Sequence, residues 1–196
     1  MITKTIELYK FSEIKDQNIR DTIIDNYRYI NTDYSWYDYT LDDYIEKLET
    51  IGFMEPDINF SGFCNQGDGA SFDCHYIDTT KILKHLNIEY SNWKHDAICN
   101  YATYGVQKNS YSTHYSHKKT RYTGIDVDMD YQKSFWRFEK LAYSICDWIE
   151  TLRLDLCNEI YNALSNEYDS LLSAEAIIET LEANEYYFDL VTGKIN

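Results

Sequence analysis

The chain has 196 residues, with 33 Asp and Glu against 18 Lys and Arg and a formal charge of −15. A surface this acidic repels phosphate backbones and anionic headgroups, which disfavours ordinary nucleic-acid and membrane binding and favours a basic partner. Apolar residues at 44%, 20 Tyr and a single Pro exclude a disordered or low-complexity chain. The length fits a single domain over residues 1–196.

The tyrosines bear on where the core ends, because a phenol is buried at low cost only when its hydroxyl finds a partner or reaches water. Many of them are therefore expected at the core boundary. Cys64, Cys74, Cys99, Cys146 and Cys157 are an odd number without a CxxC pair, so reduced thiols and a cytoplasmic location are expected. The start, MITKTIELYKF, alternates polar and apolar residues instead of forming a signal peptide. No run approaches the roughly 18 apolar residues of a membrane span.

Residues 2–9 predict a short strand with Ile6 and Leu8 on one face. Ser12 reads as the N-cap of a helix carrying Ile14, Ile19, Ile23, Tyr27 and Ile30, and residues 31–39 break the pattern. The second helix has a Thr40–Asp43 capping box, an apolar stripe of Leu41, Tyr44, Ile45 and Leu48, and Gly52 as its stop. After Pro56, strand-like runs at 57–63 and 70–77 flank a loop and predict a hairpin. A short helix is expected at 80–86 and further antiparallel strands at 96–106, 109–117 and 122–129. From 134 to 172 nothing interrupts a helix. Phe135, Phe138, Leu141, Ile145, Trp148, Ile149, Leu152, Leu156, Ile160 and Leu164 supply its stripe, so one long helix or a bent pair is expected. Ser173 caps a last helix with Ile177, Ile178 and Leu181 inward, ending near Asn184, and a strand at 186–188 closes the chain. The fold class is α+β: an antiparallel sheet of about four to six strands packed against several helices.

Four groups of residues carry the functional argument. Gln66-Gly67-Asp68-Gly69 is glycine-rich, and positive φ at Gly67 and Gly69 would let successive N–H groups form a nest for an anion or small ligand, with His75 as an accessory acid or base. The bland alternative is a turn in which Asp68 bonds its own backbone. Asp126, Asp128 and Asp130 alternate with apolar residues, so on a strand their carboxylates share a face about 7 Å apart. That spacing is too wide for one ion but close to that of phosphates along a nucleic-acid strand; the bland alternative is a solvated face. Bases and tyrosines interleave over 108–122 with His114 and His117, but no wider basic surface supports nucleic-acid binding there. No Cys or His set completes a metal site, and no metal or cofactor is expected. Ser144 to Asp189 holds eleven acids with Arg153 as the only base, and Glu175, Glu179 and Glu182 follow at i, i+4 and i+7 on the last helix. An unpaired stripe of that kind is a solubility device or a docking face.

Phe60-Ser61-Gly62-Phe63, the run Gln66-Gly67-Asp68-Gly69-Ala70-Ser71-Phe72 and the ending from Ser173-Ala174-Glu175 to Glu185-Tyr186 and Phe188 resemble a family of small phage and prophage proteins, sometimes labelled antitoxins. The resemblance runs from Phe11-Ser12-Glu13 to the C-terminus. It departs at Cys64-Asn65, where Ser is more usual, and does not extend through 85–130. It implies a phage or mobile-element setting and no catalytic chemistry. Charge and resemblance together predict an interaction protein more than an enzyme, one that covers the basic surface of a host nuclease, CRISPR-type effector or toxin. The alternative is a nucleotide or small-anion binding protein or enzyme built on the Gln66-Gly67-Asp68-Gly69 loop.

Overall fold

The computed structural model describes residues 7–89, 102–108, 123–129 and 136–195. The expected strand at 109–117, the basic aromatic stretch at 109–122 with His114 and His117, and Asp130 lie outside the described residues. The chain divides into two compact units: Met1–Asp38 with Ser165–Asn196, and Tyr39–Leu164.

The first unit is built from both ends of the chain. Strand β1 (Leu8–Lys10) pairs antiparallel with β8 (Tyr187–Asp189), Tyr9 standing opposite Phe188. A 3-10 turn at Phe11–Glu13 follows, and α1 (Gln17–Asn26) starts from Asp16, whose carboxylate accepts from the Asn18 N–H. Ser12 is therefore not the cap. Ile14 and Asp16 both have extended backbone, so the chain leaves helical geometry after the 3-10 turn and re-enters it at Gln17. The hydroxyl of Ser173 accepts from Ala176 N–H and caps α5 (Ala174–Ala183), as its sequence predicts. The left-handed residue beyond that helix is Glu185 (φ 51°), one position past the expected Asn184. Phe11, Ile14, Ile23, Ile177, Leu181 and Phe188 form the buried core, and Phe188 meets the rings of Phe11 and Tyr27 edge-on.

Helix α2 (Asp38–Ile51), which lies in the second unit from Tyr39 on, begins two residues ahead of Thr40, so Thr40 falls in the first turn and Asp43 in the second, and neither is at the cap. The helix stops at Gly52 as expected. Gly52 has φ 126°, and a Cβ there would lie 2.8 Å from the Asp78 carbonyl oxygen. Three antiparallel ladders follow: β2 (Phe53–Met54) with β5 (Tyr76–Ile77), β3 (Asp57–Phe60) with β4 (Ala70–Asp73), and β6 (Ala102–Lys108) with β7 (Thr123–Met129). Asp78 caps α3 (Thr79–His85) by accepting from Lys81 N–H.

The ladders are two-stranded, smaller than the sheet of four to six strands that the pattern predicts. Two interruptions explain this. Glu55 at φ 51° and Pro56 separate β2 from β3, and the chain leaves regular strand geometry at Cys74 and His75 between β4 and β5. Among the described residues a bridge joins β6 to this region: Cys74 and Val106 exchange backbone bonds of 2.9 and 2.8 Å. The approach is so close that a Cβ on Gly105 would sit 2.9 Å from the His75 carbonyl oxygen.

The long helix α4 (Trp136–Leu171) is continuous over 36 residues. Within this unit it buries Ala142, Ile145, Ile149, Arg153, Leu156, Cys157, Ile160 and Leu164. Trp148 is 36% exposed and Leu152 only partly buried, so the buried stripe is rotated from the predicted one and runs through an arginine. None of the described helices is long and apolar enough to cross a membrane.

Candidate functional site

The β3–β4 loop is closed by its own polar groups. Ser61 N–H donates to the Gly69 carbonyl at 2.9 Å, and Gly69 N–H donates to the Ser61 hydroxyl at 3.1 Å. Asp68, 6% exposed, turns its carboxylate back so that Oδ2 accepts the N–H groups of Cys64 at 2.8 Å and Asn65 at 2.6 Å. Its own N–H donates to the Asn65 carbonyl. Two convergent backbone donors are thus present, and the anion they hold is the chain's own carboxylate. The described glycines at positive φ are Gly52 and Gly193, not Gly67 and Gly69. The expected nest of left-handed glycines is not formed, because a carboxylate pinned to the N–H groups before it closes the turn without them. A Cβ on Gly62 would stand 3.5 Å from Asp68 Oδ2.

What the loop presents outward is Cys64, Asn65, Gln66 and Gly67, all exposed. On its flank Phe63 lies between Phe60 and the α4 residue Tyr161, at centroid distances of 6.1 and 5.5 Å. The Tyr161 hydroxyl donates to the Gly62 carbonyl at 3.4 Å. Burial raises the pKa of that phenol, and the nearby Asp68 and Cys64 add to the effect. His75 is exposed but stands past the opposite end of β4, where Asp73 faces Asp57, so the fold does not bring it to Gln66 and Asp68.

The acidic candidates fall in different places. Asp126 and Asp128 alternate along β7 opposite Gly105 and Thr103 of β6, the strand register their spacing predicts. Glu175, Glu179 and Glu182 are all exposed on α5, and among the described residues none of them is in an ion pair. Glu175 lies in the first turn, where the helix dipole favours a negative charge; the other two have no such support.

Sequence reasoning missed the buried polar cluster on α4. Arg153 has no exposed side-chain surface. Its Nε and one terminal nitrogen each donate to a Glu150 carboxylate oxygen at 2.7 Å, and the other terminal nitrogen donates to Thr123 Oγ1 at 2.8 Å and faces Cys157 Sγ at 3.8 Å. Burial works against the guanidinium charge, but Glu150 more than offsets it, so the pKa lies above the ordinary value. Cys157 and Cys74 are neutral thiols pushed up to about 11 by burial, which makes them poor nucleophiles. The clue was available: Arg153 stands four residues after Ile149 and four before Cys157, on the buried face itself. Among the described residues no group of three or more His, Cys, Asp or Glu is placed to hold a metal ion.

A family model described as a domain of unknown function, DUF8835, matches residues 36–174. No curated protein and no solved structure matches the chain.

Proposed function

The chain belongs to the DUF8835 family, and from that premise we propose that it is an acidic interaction protein whose first unit docks on a basic protein surface. The surface meant is of the kind that nucleases, CRISPR-type effectors and toxins use to hold nucleic acid, and the motif resemblance to phage and prophage proteins suits that setting. The observation that carries the reading is the α5 stripe: three exposed carboxylates without an ion-pair partner among the described residues, within a unit of 14 acids and 6 bases. Such a stripe costs the free helix a few tenths of a kcal/mol per like-charged pair. A cationic partner relieves that repulsion and is steered toward it at long range.

The test is binding to a defined basic protein across a salt titration. Affinity falls steeply as ionic strength rises, since exposed pairs are screened beyond a Debye length of roughly 8 Å at physiological salt. The triple change Glu175→Lys, Glu179→Lys and Glu182→Lys abolishes binding while stability falls by no more than about 1 kcal/mol, chiefly from the charge reversed in the first turn, because all three side chains lie off the buried Ile177 and Leu181. Salt-independent affinity, or full binding by the triple variant, overturns the reading.

One observation favours a second reading, the loop as a ligand site. The loop falls inside the residues matched by the family model, whereas Glu175, Glu179 and Glu182 fall outside them. The exposed amides of Asn65 and Gln66 beside Phe63 suit a neutral polar ligand better than a phosphate, since the two N–H groups nearest them already serve Asp68.

A further inference from the structure

In the first unit, the segment between α1 and α2 exposes two large aromatic rings: Tyr29 is 64% and Tyr34 90% accessible. Tyr39, Tyr76, Tyr143 and Tyr187 are exposed as well, and what sets Tyr29 and Tyr34 apart is that both stand on one short segment of the more acidic unit. The backbone beneath them is fastened. Asn31 donates from Nδ2 to the Leu171 carbonyl at 3.1 Å and accepts at Oδ1 from the Thr180 hydroxyl at 2.7 Å, which ties the segment to the end of α4 and the middle of α5. Thr32 donates through both N–H and hydroxyl to the Tyr29 carbonyl, Asp33 accepts from Ser35 N–H, and Trp36 packs on Tyr37 and Tyr168. The two rings therefore ride on an ordered backbone, and little conformational entropy is lost when something binds them.

Charge names the occupant. The unit carries 14 acids and 6 bases, and several of its bases are already engaged. Arg28 pairs with Asp25, Lys10 pairs with Glu185, and Arg20 stacks on Phe11 while donating to the Phe11 and Ile14 carbonyls. A cation that also seeks an aromatic face is a guanidinium, which stacks on Tyr more readily than an ammonium does. We infer that Tyr29 and Tyr34 form a docking surface for an arginine-bearing segment of a protein partner. The inference rests on the docking reading above and narrows its partner from basic to arginine-rich.

The experiment uses the whole chain and two probes of equal charge, a short peptide alternating Arg with Gly and its Lys counterpart, titrated by calorimetry at low salt. The arginine peptide binds roughly fivefold tighter. The pair Tyr29→Ala and Tyr34→Ala removes that preference, and Tyr29→Phe with Tyr34→Phe, which keeps the rings, retains it; circular dichroism confirms an unchanged fold in both. Equal affinities for the two peptides, or a preference that survives loss of both rings, overturns the inference and leaves the acidic docking reading standing. If neither peptide binds, both fall together.

Discussion

The two units divide the chemistry of the chain unevenly. The first carries a net charge of −8 on 70 residues, no cysteine, and a core of aliphatic and aromatic side chains. The second, with 126 residues, carries −7, holds all five cysteines, and buries a complete ion pair's cationic end in its core. Charge on the first unit is therefore superficial and available to a partner, whereas the decisive charge on the second is internal and structural. A surface carboxylate and a buried guanidinium make opposite demands. The first costs little to change and acts through the field it projects; the second is expensive to disturb and acts through the fold.

The contrast is most sharply tested at Glu150. Although its side chain is 38% exposed, Glu150→Ala removes both 2.7 Å bonds from a fully buried guanidinium and is expected to destabilise the second unit by about 3 kcal/mol, read by denaturant unfolding. A loss no larger than that at α5, about 1 kcal/mol at most, would erase the distinction between internal and superficial charge.

A somewhat smaller effect, about 2–3 kcal/mol, is expected from Gly52→Ala. Its φ of 126° is essentially reserved for glycine, and the new methyl would press on the Asp78 carbonyl. Amide hydrogen exchange should show the loosening in 39–164 and leave the α1 and α5 amides protected; uniform loosening would show that the two units unfold as one.

Alkaline pH separates the units by another route. Cys74 and Cys157 have folded-state pKa values of about 11 against an ordinary 9.0. Above pH 9 the unfolded chain releases these protons and the folded chain keeps them, so stability present below pH 9 is lost as pH rises toward 11. The loss should localise to the second unit, reach about 1.4 kcal/mol per thiol by about pH 10, and shrink in Cys74→Ala. An equal decline in that variant would point to tyrosine titration instead.

The smallest expected effect is at the loop. Asp68→Asn keeps an oxygen to accept from Cys64 and Asn65 but loses the charge that strengthens those bonds, costing about 0.5–1 kcal/mol. If the docking reading holds, partner affinity is unchanged. Loss of a native activity with the melting temperature preserved would move the function from the first unit to the loop.

Local elements were legible where one short-range signal decides them. Gly52 ends α2 because the backbone there needs a conformation only glycine takes freely, Ser173 starts α5 because its hydroxyl meets an orphan N–H, and the runs around the glycine loop form a hairpin. Asp68 shows the limit of such signals. Its motif suits an external anion or an internal carboxylate equally well, and only the position of Cys64 and Asn65 N–H groups on Oδ2 separates the two.

The amino-acid sequence by itself determined the mixed class, the helix and hairpin segments, the long uninterrupted α4 and an acidic α5 face, because each follows from periodicity, caps and charge within one stretch of chain. Three features were decided only by the tertiary structure. The two chain ends meet as β1 and β8; Arg153 lies in the buried stripe instead of snorkelling to water; and β2–β5 pairs apart from β3–β4 after Glu55 turns left-handed. Each depends on partners far along the chain, whether a strand some 180 residues away, a Thr123 hydroxyl or a Cys74–Val106 bridge, and on desolvation that no local pattern records.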